Sequence, residues 1–336
     1  MKMKINIPIS AFFVLACALP LLAQQKGQWV PGQFGLNAGV IPDPGITYAN
    51  MAVNYSADRL NDSNGDQILK NVTGTYSFWV DENIVYYVPH HKFLGGYFMP
   101  YAAVNVANGS LVADINGTNL GINGGGSGLA DTFVEPFNLG WHFKRADFNV
   151  GYAFTAPTGR YTAGASNNVG SGYWGNNITS GTTYYVTKNK GTSLNLATDW
   201  EIHGQKKVAS LPAGQFSNKT PGQAFTAEWG FGQVLPLKKN FSRLLQLGVV
   251  AYDQWQVSNN GGTVILAGIP VAASRTPYYS VHAIGFQSNF ILPAKDLVLF
   301  FKYYDEYLAK ARPQGRTIVF GGSWTLRIPK KAPPKQ

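Results

Sequence analysis

The sequence predicts an all-β fold: a transmembrane antiparallel up-and-down β-barrel of about twelve strands behind a cleaved signal peptide. Three observations predict it. The chain opens with an export signal, its composition is poor in charge without any long apolar run, and apolar residues recur at every second position over long stretches. Taken together they point to strands, not helices, that cross a bilayer.

The export signal is MKMKINIPISAFFVLACALPLLAQQ, with Lys2 and Lys4 ahead of an apolar run and Ala23 as the expected cleavage residue. This is the layout of a secretory leader, too short for a comfortable membrane helix. Residues 1–23 are therefore expected to be removed, and with them Cys17, the single cysteine. No disulfide framework or thiolate chemistry then remains. Loss of Lys2 and Lys4 with no acid lowers the net charge from +10 to +8. The remaining basic residues are scattered or gathered at turns, so no nucleic-acid partner is expected.

Composition narrows the class. Gly numbers 38, aromatic residues make up 14% and charged residues only 13%, about half the usual charged share of soluble domains. No mature stretch offers the run of about eighteen apolar residues that a membrane helix needs. A β-sandwich would need two sheets packed over one core, and a chain of this length would then divide into two domains. No linker separates two such domains.

Periodicity supplies the strands. In SLNLATDWEIHG, Leu194, Leu196, Trp200 and Ile202 alternate with Ser193, Asn195, Asp199, Glu201 and His203. A strand sends successive side chains to opposite faces, so one face is oily and the other carries two carboxylates. The same alternation sets Met51, Val53, Tyr55 and Ala57 against Asn50, Asn54 and Ser56. It recurs from Phe148 to Phe154, Phe225 to Leu235, Leu297 to Tyr303 and Ile318 to Ile328. The runs match the ~9–11 residues of a tilted membrane strand. The oily faces are expected to meet lipid, and the Gly-, Ala-, Ser-, Thr- and Asn-rich faces to line a wet lumen.

Connections add an independent signal. Short polar links fall at 144–147, 188–191, 237–240 and 293–296, with long Gly/Asn/Ser-rich links at 107–128, 160–181, 204–221 and 258–276. Outer-membrane barrels place short turns on the periplasmic side and long loops outside. In FWVDENIVYYVPHHKFLGGYFMPYAAV either DEN or PHHKFLGG is the turn, and the choice moves the strand count by two. The expected organisation is a leader at 1–23, an N-terminal periplasmic segment at 24–45, a barrel at 46–328 and a periplasmic tail at 329–336.

Several segments resemble the outer-membrane transporter family named for the meta-pathway of phenol degradation. They are GLADTFVEPFNLGWHF (128–143), YAFTAPTGRY (152–161), LGVVAYDQWQVSNN (247–260), HAIGFQSNFILP (282–293) and KYYDEYLAKARPQGRTIVFGGSW (302–324). Pro157, Thr158, Gly159, Arg160 and Tyr161 carry one specific part, and Lys302, Glu306 and Gly315 another. Gly321, Trp324 and Leu326 resemble the closing-strand pattern read by the barrel assembly machinery. The resemblance implies an exported barrel in the outer membrane of a Gram-negative bacterium that aids uptake of aromatic or hydrophobic compounds. Its expected partners are outer-membrane lipid and lipopolysaccharide, the assembly machinery during insertion, and small hydrophobic or aromatic solutes.

The candidate lumen residues are Asp199, Glu201, Glu228, Gln254, Gln256, Lys302, Glu306 and Arg327. Lys302 and Glu306 lie four apart, ~13 Å along a strand, so each is expected to pair across strands, with Arg316 or Arg327, or with Glu228 and Glu201. Two roles stay open for this set: a charged lining that filters solutes, or a network that braces the wall. Asp131 and Glu135 are spread too far on a strand for paired acid–base work. His90, His91, His142, His203 and His282 show no metal spacing, and GINGGGSG lacks the Lys-Ser/Thr of a phosphate loop. No catalytic residue, metal or cofactor is expected, and the barrel is read as a non-enzyme. A structural or surface-interaction barrel with a closed lumen, and an outer-membrane hydrolase, are the alternatives.

Overall fold

The computed structural model describes residues 28–67, 72–115, 118–163, 165, 167–211, 215–266 and 269–327. The expected leader and the tail at 329–336 lie outside them. Twelve antiparallel strands close into a barrel: β1 Gly45–Leu60, β2 Val72–Val88, β3 Tyr101–Ile115, β4 Thr132–His142, β5 Ala146–Ala156 and β6 Gly175–Tyr185, followed by β7 Thr192–His203, β8 Ala224–Pro236, β9 Leu244–Gln256, β10 Ser280–Leu292, β11 Leu297–Lys310 and β12 Pro313–Arg327. β1 closes the ring against β12, from Gly45 opposite Arg327 to Leu60 opposite Pro313. Closure leaves the barrel wall without a free edge, which a bilayer requires.

The connections sort to two ends. Short turns, with both Gly45 and Arg327, lie at one end. DEN is internal to β2, and the turn follows it: Pro89 ends the strand, and Lys92–Phe93 pairs with Gly96–Phe98 before Pro100 and β3. At the other end the long links are more ordered than expected. Thr118–Leu129 continues the ladder on β3. Hairpins Lys206–Leu211/Gln215–Thr220 and Gly261–Leu266/Ile269–Ala272 join in a separate four-stranded sheet. The stretch expected as a loop at 160–181 becomes strand at Gly175.

On most strands the oily face looks outward. Leu194, Leu196, Trp200, Ile202, Trp229 and Phe231 stand exposed, while Asn195, Asp199 and Glu201 are buried. β1 is reversed. Its Met51, Val53 and Tyr55 are buried with Ile84, Ala103 and Val319, and Asn50, Asn54 and Ser56 look out. The expectation that this oily face meets lipid is corrected. The reason is that the interior here is an apolar core, packed against Val30.

Val30 belongs to a stretch the sequence set apart from the barrel. Residues 28–44 run through the interior, from Gln28 near the loop end to Ile41, which packs on Val88 and Met99 at the turn end. The placement of 24–45 as a separate periplasmic segment is therefore corrected for its described part. The inward small residues are shaped to this segment. A Cβ on Gly181 would lie 2.0 Å from the Ala38 carbonyl oxygen, and one on Gly140 2.2 Å from Ile41. Leu36 rests over Gly230, Gly232 and Gly248.

Candidate functional site

The interior segment is held by the polar faces of the strands. Glu228 accepts the backbone N–H groups of Gly32 (2.9 Å), Gln33 (3.3 Å) and Phe34 (2.8 Å), and the Trp29 indole N–H (3.1 Å). Lys302 donates to the carbonyl oxygens of the same residues, Gly32, Gln33 and Phe34. One carboxylate and one ammonium thus satisfy both sides of a short irregular backbone stretch, which would otherwise be costly to bury. Glu201 accepts the N–H of Gln28 and of Trp29 at 2.6 and 3.0 Å. Further down, Gln287 accepts from Leu36, Asn195 from Asn37 and Thr183 from Gly39.

Of the predicted lumen residues, Asp199, Glu201, Glu228, Gln254, Gln256, Lys302 and Glu306 are buried on the inner side of the wall. The structure gathers Glu201, Glu228 and Lys302 on the interior segment. Gln254 bonds Thr226 (3.0 Å) and Arg312 (3.2 Å), and Gln256 bonds the Ser258 carbonyl. Asp199 takes both oxygens to the Asn177 amide at 3.0 Å. Glu306 pairs with Arg312 at 3.3 Å and accepts from Tyr55, Tyr252 and the Gly315 N–H. Its expected partner Arg316 is exposed, and the Arg327 side chain lies outside the described residues.

Glu135 and Asp131 are separated by fold as well as by sequence. Glu135 is buried, accepting from Asn138 and Thr179, and a Cβ on Gly151 would lie 1.8 Å from its carboxylate. Asp131 instead fastens the PTGRY loop. It accepts the N–H of Gly159 at 3.0 Å and both the N–H and the hydroxyl of Ser171. Thr158 bonds Thr132, and Arg160 donates to the Asn167 carbonyl at 2.7 Å. Pro157 begins the loop directly after β5. Tyr161 and Tyr173 flank the Lys206 ammonium, at 5.8 and 5.2 Å from their ring centroids.

Lys206 stands directly across its hairpin from Lys219, and both are buried. Burial, then the charge of Lys219, pushes Lys206 down to about 8, with Asp131 opposing; burial alone brings Lys219 down to about 8. Three histidines contact carboxylates. His203 bonds Glu201 and the Gly222 carbonyl, His142 bonds Asp147, and His282 bonds Asp253 at 2.6 Å near the loop end. Asp253, which breaks the alternation of β9, is also bonded by the outward Trp229 indole at 3.0 Å. Among the described residues, no group of three or more His, Cys, Asp or Glu could hold a metal ion.

The signals that sequence reasoning missed are Trp29, Gln33, Arg312, Lys206 and Lys219. The inward glycines were visible as a pattern, and they marked the seat of the N-terminal segment.

The sequence profile of the family described as "Putative MetA-pathway of phenol degradation" matches residues 57–320. Among solved structures, the fold is similar to the COG4313 outer membrane channel from Pseudomonas putida F1, at TM-score 0.68 and 12% identity, covering 89% of this chain and 100% of that one. It is also similar to the β domain of the Bordetella autotransporter BrkA, at TM-score 0.50 and 11% identity, covering 84% and 100%. Among curated proteins, none matches the chain by sequence.

Proposed function

Since the chain belongs to this phenol-degradation family of outer-membrane β-barrels, we propose that it admits small hydrophobic or aromatic solutes across the outer membrane. Passage is by diffusion through the barrel, with no bond made or broken. The N-terminal segment 28–44 sets the width of the path.

The observation that supports this reading is how the lumen is filled. A small barrel can be packed solid by its own side chains. Here the inward positions include Gly140, Gly181, Gly230 and Gly232, and a separate segment occupies the space they leave. That segment is fastened by hydrogen bonds to Glu201, Glu228 and Lys302, contacts that can be exchanged without breaking the wall. Buried acceptors without a partner among the described residues include Gln28 Oε1 on the segment and Glu201 Oε1, whose other oxygen holds Gln28 and Trp29. They offer sites to a hydroxyl-bearing solute. The proposed location is the outer membrane of a Gram-negative cell, in contact with its lipid and lipopolysaccharide after delivery by the assembly machinery.

The filled lumen also favours a second reading, a closed barrel that serves as a scaffold or surface-interaction protein. Liposome uptake of toluene, phenol and benzoate by the intact protein and by a variant lacking residues 28–39 separates the two. Transport predicts uptake by the intact protein and faster uptake by the variant. No uptake by either rejects it in favour of the scaffold.

A further inference from the structure

The outward face of β1 and β2 does not match the rest of the wall. Elsewhere the outward positions are mainly apolar, as on β7 with Leu194, Leu196, Trp200 and Ile202, although β6 also turns Asn176, Ser180 and Thr182 outward, without any charge. On β1 they include Asn50, Asn54 and Ser56, and on β2 Ser77, Asp81 and Asn83, all exposed or half-buried. Their outward direction is fixed by the face they share, at every second position, with exposed Tyr48 on β1 and exposed Trp79, Val85 and Tyr87 on β2. Polar and charged groups on a lipid-facing surface are destabilising, most so toward the middle of the bilayer.

Some of these groups partner one another. Asn50 donates to Asp81 at 2.6 Å, Asn83 to the other Asp81 oxygen at 3.3 Å, and Tyr48 donates to Asn83 at 2.7 Å. The Asp81 carboxylate is thus turned into its own chain. The sector is also low in relief, because Asn50 stands between Asn83 on one side and Gly322 on the other, and Ala52 follows. Small residues let a second wall approach closely.

We propose that the outer face of β1 and β2 is a subunit contact, by which one copy of this chain meets a second around an axis along the membrane normal. Copies related by such an axis hold each residue at the same depth. Asn50 and Asn83 are paired at one depth, and Ser56 and Ser77 at another. Carboxamides meet carboxamides and hydroxyls meet hydroxyls, and each of these groups both donates and accepts. The face is therefore complementary to itself, whereas acyl chains offer it nothing.

The test uses the full chain with Cys17→Ser, in native membranes and after purification into nanodiscs. Asn54→Cys and Ser56→Cys are compared with Ile178→Cys, an exposed apolar position on β6 away from this face, using a short bis-maleimide. The contact predicts a product of twice the monomer mass for Asn54→Cys and Ser56→Cys and none for Ile178→Cys. It also predicts a dimer mass for the parent in nanodiscs, lost in Asn54→Leu, whose heat-modifiable migration on gels reports the folded barrel. A monomer mass throughout overturns the proposal, as does equal cross-linking from Ile178→Cys. Cross-linking in membranes to a product of any other mass overturns the assignment to a second copy.

Discussion

The Glu228 carboxylate accepts the backbone N–H of Phe34 at 2.8 Å across 194 residues of sequence. It is the densest of the ties between the interior segment and the wall, and it defines the first experiment. Glu228→Gln keeps the shape but removes the charge from four donor contacts. Hydrogen bonds to charged groups contribute about 1.5–3 kcal/mol, and losing one such increment shifts a two-state equilibrium by about tenfold or more. The expected result is faster hydrogen exchange over residues 28–39 with an intact barrel, read by mass spectrometry. Unchanged exchange there would show that the segment is held by packing alone.

Gly181 tests the fit from the other side. A methyl group at this position meets the Ala38 carbonyl oxygen at 2.0 Å, and that oxygen belongs to backbone, which yields only if the segment moves. Gly181→Ala is expected to raise solute uptake in liposomes while leaving strand content by circular dichroism unchanged. Uptake at or below the parent level contradicts a path set by this segment.

Arg312 and Glu306 form a buried ion pair at 3.3 Å. Removing one partner of such a pair costs about 3–5 kcal/mol because the other charge stays buried. Tyr55, Tyr252 and the Gly315 N–H still donate to Glu306, which places Arg312→Met at the lower end. The expected outcome is a lower temperature for the folded-to-unfolded gel shift, with the Arg312→Met/Glu306→Gln double variant recovering part of it.

The buried lysines of the outer hairpin predict a pH dependence. Lys206 and Lys219 are lowered to about 8 in the folded chain, against about 10.4 when unfolded. Between these values the unfolded chain binds more protons, so stability rises with pH across roughly 8 to 10.4. Below about 8 both forms are charged and the full cost of burial persists. The groups facing Lys206 are Lys219, Asp131, Tyr161 and Tyr173. Lys206→Met is expected to raise the unfolding temperature at pH 7 and to flatten its rise above pH 8. A parent whose stability falls steadily over that interval would contradict it.

Much of the wall was legible in the chain. The alternation of Leu194, Leu196, Trp200 and Ile202 with Asp199 and Glu201 identified both faces and their direction, because carboxylates exclude one of them from lipid. β1 carried alternation of equal clarity but no charge on the polar face from Asn50 to Ser56, and periodicity names two faces without saying which is inside. Its direction is set by what fills the lumen. That filling was hidden because residues 28–44 have no period of two or 3.6, and their partners are as distant as Lys302. Glu306 was picked out as a pairing carboxylate, yet its partner Arg312 lies in the turn after the strand, outside the strand positions that pattern reasoning pairs.

The interior segment also fixes an order of events in biogenesis. Its seat is built from Glu201, Glu228, Gln287 and Lys302, which all follow it by more than 170 residues. The stretch that emerges earliest therefore acquires its resting place only after nearly the whole polypeptide has been delivered. Zippering of the last hairpin onto the first decides whether that stretch is enclosed or left behind.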